Sequence, residues 1–236
     1  MSPTRAEHRA AVERRILEVS RRHLVTDGPA ALSLRAVARD LGMVSSAVYR
    51  YVASRDDLLT LLLVDAYTDL GDVVDAALAD AADRPWDERV VVAAVAFHGW
   101  GHRDPSRYAL LHGSPVPGYA APPERTMQPG TRVPLALSRL VAEGVATGEV
   151  TEDGGPAVSD PGLAAELGRA ADELGLDAGP GVVARALLLW AGVVGSTSLE
   201  VFGQYGPDAF ARPGALVEHQ VRVLLDVVRD RPGRTS

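Results

Sequence analysis

The sequence predicts an all-α fold: a three-helix head with a helix-turn-helix arrangement, residues 1–54, followed by a larger helical body, residues 55–236. Three observations predict it. Apolar residues recur at three- and four-residue steps along most of the chain, and no convincing alternating pattern competes; Val90-Val91-Val92 is strand-prone only locally. Near the start, two short amphipathic segments meet at a Gly42 turn. Charge is also divided. Residues 1–60 hold 10 Arg against 7 Asp/Glu, whereas residues 61–236 hold 14 against 24. A basic head on an acidic body implies an anionic partner for the head alone.

Each element follows from local chemistry. Val12, Ile16, Val19 and Leu24 set a helix over 9–25, which Asp27-Gly28-Pro29 stops. Ser33 caps a second helix with Leu34, Val37, Ala38 and Leu41 on one face, and Gly42 ends it. A third helix runs from Ser45 or Ser46 through Tyr51, with Val48 and Val52 inward. Ser54 caps a fourth, extending to about Ala79, and Asp56 and Asp57 complement its dipole. Pro85 fits the first position of a helix from Trp86 to about Gly101. Asp104-Pro105 opens a short helix to about Leu111. Residues 113–131 carry five prolines and three glycines and read as a loop or irregular lid. Helices follow over 132–146, 163–174, 182–202 and 213–229; residues 148–162 form a connection and the tail 231–236 frays.

Composition excludes several chemistries. There is no cysteine, hence no disulfide, zinc-thiolate site or cysteine nucleophile. All 24 basic residues are arginine, so Schiff-base catalysis and a P-loop lysine are ruled out. Charges interrupt every apolar stretch of the first 25 residues, which argues against a signal peptide. Between Val182 and Phe202 the clean apolar run, broken by Arg185 and Glu200, is too short to span a bilayer. The expectation is a soluble, cytoplasmic protein.

The helix-turn-helix is where function is legible. Ser45, Ser46 and Ala47 are small, so the start of the third helix can bring its backbone close to base edges in a major groove. Tyr49 and Tyr51 carry hydroxyls able to reach phosphate oxygens, and Arg50 and Arg55 add charge. Three helices packed without any ligand would give the same pattern.

The stretch ILEVSRRHLVTDGPAALSLRAVARDLGMVSSAVYRYVASRDDLL, Ile16 to Leu59, resembles the N-terminal domain of the TetR/AcrR family of transcriptional regulators. The matching features are Asp27-Gly28, Ser33 with Val37-Ala38 and Leu41-Gly42, then Val48-Tyr49-x-Tyr51-Val52, and Ser54-Arg55 with Leu58. Arg55 stands where the family has Lys, and Val52 where it usually has Phe. The resemblance implies that Arg35 contacts a base or phosphate, that Ser45, Ser46 and Ala47 face bases, and that Tyr49, Arg50 and Tyr51 touch sugar-phosphate or base methyls. It implies that Arg55 holds a phosphate and that Ser33 caps its helix and touches one. DPSRYALLHGSPVPGY (104–119) and WAGVVGSTSLEVFG (190–203) are similar to the ligand-binding domain of a subgroup named for a Trp-His-Gly signature; Val194 stands at the His place. The family also implies a homodimer through the last two long helices, here 182–203 and 213–230, on an operator of double-stranded DNA.

The few large aromatics concentrate in the body, and an apolar effector pocket is expected from some of Phe97, Trp100, Tyr108, His112, Met127 and Trp190. His98 and His102 lie one turn apart, with His112 beyond. No acidic residue follows His98 as in HExxH, so packing is expected rather than metal binding. Glu200 reads as a surface residue in preference to a buried acid. No nucleophile motif or cofactor fingerprint is present. The expectation is a ligand-responsive DNA-binding repressor with no enzymatic activity and no cofactor. The alternative is a helical small-molecule carrier or enzyme whose first three helices are only structural.

Overall fold

Thr4 starts the first helix by a reciprocal cap. Its hydroxyl accepts the Glu7 N–H at 3.2 Å, and the Glu7 carboxylate accepts the Thr4 N–H at 2.6 Å. The computed structural model describes residues 4–152, 154, 156–206 and 209–229. Among them the chain forms α1 (Arg5–Asp27), a 3-10 turn (Pro29–Ala31), α2 (Leu34–Asp40), α3 (Ser45–Val48) and α4 (Arg55–Asp80). Then follow α5 (Trp86–Arg103), α6 (Pro105–His112), α7 (Pro123–Gly130), α8 (Arg132–Ala146), α9 (Pro161–Leu174), α10 (Pro180–Val201) and α11 (Pro213–Arg229). The fold is all-α, as the periodicity predicts.

The chain divides into two compact units, Met1–Asp69 with Asp104–Gly130, and Leu70–Arg103 with Thr131–Ser236. In the first, Ile16, Val19 and Leu24 of α1, Leu34, Val37 and Ala38 of α2, and Val48 of α3 close one core with Val52, Leu58, Leu59 and Leu62. In the second, α10 packs on α5, α8, α9 and α11. Leu189 and Val193 are fully buried there, and a smaller cluster joins Leu167, Ala171 and Val183. Gly192 lets α11 come close, since a Cβ on it would lie 2.3 Å from the Leu224 side chain.

Four expectations need correction. The third helix ends at Val48, not Tyr51: Tyr49, Arg50 and Tyr51 turn, and both Tyr51 N–H and Val52 N–H return to the Val48 carbonyl. The segment 113–131 is not all loop, because α7 forms within it. Pro123 occupies the first position, where no N–H is needed, and Pro129 falls in the last turn. Pro85 precedes its helix, and its carbonyl accepts the Arg89 N–H at 3.1 Å. Finally, α10 is long and apolar enough to cross a membrane by length and composition alone. Its Val182, Val183, Ala186, Leu189, Val193 and Thr197 are nevertheless buried against the neighbouring helices, which makes it a core helix. Arg185 is buried with them and donates to the backbone carbonyls of Val228 at 2.8 Å and Thr151 at 2.5 Å. The tail 231–236, expected to fray, lies outside the described residues.

Candidate nucleic-acid interface

The turn between α2 and α3 is built as the sequence predicts. Ser33 Oγ accepts the Ala36 N–H at 3.5 Å and starts α2. At its end Gly42 takes φ 68°, Gly42 N–H donates to Arg39 O at 3.0 Å and Met43 N–H to Ala38 O at 2.9 Å. Only glycine enters this left-handed conformation without strain, so Gly42 fixes the angle at which α3 leaves α2. Val48 and Val52 anchor α3 from below, both fully buried.

That anchoring decides what faces outward. Ser46, Tyr49 and Arg50 are exposed; Ser45 and Ala47 are half-exposed. Val44 at the N-cap is exposed as well and supplies no side-chain cap, while the Ala47 N–H donates to the Val44 carbonyl at 2.9 Å. Arg35 is exposed in the first turn of α2, and Ser33 is half-buried. Tyr51 is partly withdrawn: its ring lies under the Arg9 guanidinium, 5.6 Å from the ring centre, and packs on the core of its unit. Arg55 is also engaged. One nitrogen donates to the carbonyls of Pro29 at 3.0 Å and Ala30 at 2.9 Å, holding the 3-10 turn against the start of α4. Ser54 Oγ accepts the Asp57 N–H at 3.0 Å, while Asp57 accepts the Ala53 N–H at 3.1 Å.

Several supporting residues escaped sequence reasoning. His23 bridges two carboxylates, Asp27 at 3.2 Å and Asp40 at 2.8 Å, and ties α1 to the end of α2. The hydrogen bond from His23 holds the Asp40 carboxyl below the usual carboxylate range. Asp65 on α4 receives Arg21 of α1 at 2.5 Å and Arg107 of α6 at 3.1 Å; Arg107 also reaches Asp69 at 2.7 Å. The i,i+4 spacing of His23 and Asp27 was visible in the sequence, but Asp40 and Arg107 reach their partners only through folding.

The six residues expected around an effector fall into two sets. Phe97, Trp100 and Trp190 belong to the second unit, where the Phe97 and Trp190 rings meet edge-on at 5.3 Å. Tyr108, His112 and Met127 belong to the first. Tyr108 is fully buried with its ring 4.9 Å from that of His112, whereas Met127 is 62% exposed. Burial pushes the His112 imidazole down to about 4. The other two histidines do not pack passively: Glu200 accepts from His98 at 2.5 Å and from His102 at 2.9 Å. Glu200 is thus a largely buried acid, contrary to its reading as a surface residue.

Comparison with known proteins gives this geometry its context. Residues 16–62 match the family described as bacterial regulatory proteins, tetR family, and residues 90–224 match the tetracyclin repressor-like C-terminal domain. The chain is 49% identical over 228 residues to the HTH-type transcriptional regulator Rv1816 of Mycobacterium tuberculosis, covering 96% of each chain. The Mycobacterium bovis regulator Mb1846 gives the same figures. The crystal structure of SCO4313, described as a regulatory protein, superposes with a TM-score of 0.75 at 31% identity, over 94% of this chain and 99% of that one. The chain belongs to the TetR family. It is a DNA-binding transcriptional regulator with an N-terminal helix-turn-helix and a helical C-terminal domain. For a TetR-family head, the outward surface from Ser45 to Arg50 is the part of the helix-turn-helix that its own core leaves unused.

Proposed function

We propose that the protein is a homodimeric repressor that leaves a palindromic operator when a small molecule binds its body. The observation that carries the reading is the outward surface of α2 and α3, small and polar where the backbone must approach base edges and backed by a fully buried Val48. In this reading Ser45, Ser46, Ala47 and Arg35 read bases. Ser33, Tyr49, Arg50, Tyr51 and Arg55 hold the sugar-phosphate. Arg55 serves twice, since the nitrogen on Pro29 and Ala30 leaves other donors for a phosphate. The start of α4 behind it adds the positive end of a helix dipole.

Dimerisation runs through α10 and α11. Leu188, Gly195, Leu199 and Phe202 share one face of α10 by their spacing, and Leu188, Leu199 and Phe202 are exposed there. Val223 and Val227, one turn apart on α11, are exposed too. Leu189 and Leu224 serve the intramolecular core instead. The effector is an apolar molecule held within one unit, by some of Phe97, Trp100 and Trp190 in the second or by some of Tyr108, His112 and Met127 in the first. It shifts the population of dimers away from the arrangement whose two α3 helices fit successive half-sites. The reading places the protein in the cytoplasm, beside the DNA.

The test is a pull-down of fragmented DNA from the source genome with the purified full-length protein, followed by footprinting. A protected palindrome with half-sites about one helical turn apart, or a multiple of it, supports the reading. Failure to retain any fragment specifically with the dimer intact contradicts it.

A further inference from the structure

A cleft of about 410 Å³ opens where the ends of α5 and α10 meet the start of α11, lined by His102, Glu200, Gly203, Tyr205, Phe210 and Pro213 among others. Its volume is within the range of small-molecule sites. We propose that this cleft binds an organic cation: an amine or related ammonium group paired with Glu200, its apolar part against Tyr205 and Phe210. None of the six residues expected to form the effector pocket lines it.

The acid is held for such a task. An ionised carboxylate only accepts hydrogen bonds, so both facing ring nitrogens donate to it. His98, its side chain only 6% exposed, donates from Nε2 to Oε2 at 2.5 Å and fixes the plane of the carboxylate. Oε1 meets His102 Nδ1 at 2.9 Å, and the His102 side chain is 60% exposed. The carboxylate therefore keeps one oxygen clamped by a buried partner, while the other is held by a solvent-exposed ring that a ligand can displace. His98 is a positioning residue, and Glu200 makes the contact.

The aromatic part of the lining suits the same chemistry. The Tyr205 and Phe210 rings meet edge-on at 5.3 Å and 89°, so one presents its face where the other presents its edge. Aromatic faces attract cations, and a carboxylate beside them adds the counter-charge. Gly203 and Gly206 take φ 68° and 89°, which turns the chain tightly around the cleft. Among the described residues lining the cleft there is no arginine, and its one histidine, His102, is turned onto Glu200, so an anionic ligand is offered no arginine to pair with.

The test is titration calorimetry of the full-length protein without DNA, so its outcome is independent of the repressor reading. The probes are phenethylammonium, its neutral counterpart 2-phenylethanol and the anion 3-phenylpropionate. Phenethylammonium should bind with a Kd of about 1 mM or better, as a small probe in a fitted site does. The neutral probe should bind at least about tenfold more weakly, the loss expected when a charge-assisted hydrogen bond is removed. Glu200→Gln should weaken the cation by a similar factor, and Phe210→Ala, at an exposed position that the core does not need, by about threefold. His102→Ala should tighten it about twofold, because the ligand no longer competes for Oε1; a merely structural His102 would not act in that direction. Equal binding of all three probes, unchanged affinity in Glu200→Gln with an unaltered melting temperature, or no heat with phenethylammonium overturns the proposal.

Discussion

Arg107 shows how one side chain organises the first unit. Its side chain is 9% exposed, and its guanidinium reaches Asp65 and Asp69, with Arg21 on the other side of Asp65. Removing Arg107 leaves Asp65 to Arg21 alone and Asp69, 47% exposed, to solvent. Arg107→Met should therefore cost about 1–3 kcal/mol in denaturant titration, more than Arg139→Met at an exposed site. His112 supplies a pH prediction. Its imidazole is neutral in the fold, down to about 4 against an ordinary value of 6.5. Between those values the unfolded chain takes up a proton that the folded chain refuses, so stability falls as pH drops from 6.5 toward 4 and is flat in this respect below it. The loss should be on the order of 2–3 kcal/mol and should vanish in His112→Phe. An NMR titration of His112 showing protonation near 6.5 would contradict the assignment.

At the scale of elements, caps were legible at Ser33 and Asp104 but not at Thr4, where α1 starts four residues before the expected 9, nor at Asp160, which was read as part of a connection. Ser33, Asp104 and Asp160 each accept a backbone N–H three residues on. The end of α3 was not legible, because the chain from Tyr49 to Tyr51 keeps helical spacing while its hydrogen bonds turn back to Val48. Proline content hid α7: Pro123 sits at its first position, where an N–H is dispensable, while Pro129 falls in the last turn, where only the last bond of the ladder is lost. Sequence spacing also failed to tell the two faces of α10 apart: Leu187 and Leu188 are exposed while Leu189 is fully buried. This yields a discriminating pair. Leu188→Glu or Val227→Glu should give folded monomers in light scattering, with dimer affinity reduced about a hundredfold or more. Leu189→Glu should unfold the second unit, because a charge cannot be buried there unpaired. Monomers of the wild-type protein at micromolar concentration would remove the dimer.

The molecule as a whole joins a basic head to an acidic body, and only the head should carry the electrostatic part of DNA binding. The candidate interface could be read from the sequence because its residues lie within one short stretch, from Ser33 to Arg55. The Glu200 cleft could not, since His98 and Glu200 are 102 positions apart. The claim that α3 reads the bases while Arg55 holds a phosphate is tested most directly by one measurement: binding of wild type, Ser46→Ala and Arg55→Ala to a small palindrome library at several salt concentrations. The account predicts that Arg55→Ala lowers the salt slope by roughly one per half-site at unchanged sequence preference. It predicts that Ser46→Ala changes preference at one or two symmetric base pairs, at about 1–3 kcal/mol each, with the slope intact. Uniform weakening by Ser46→Ala across the library, or an unchanged slope for Arg55→Ala, would contradict it.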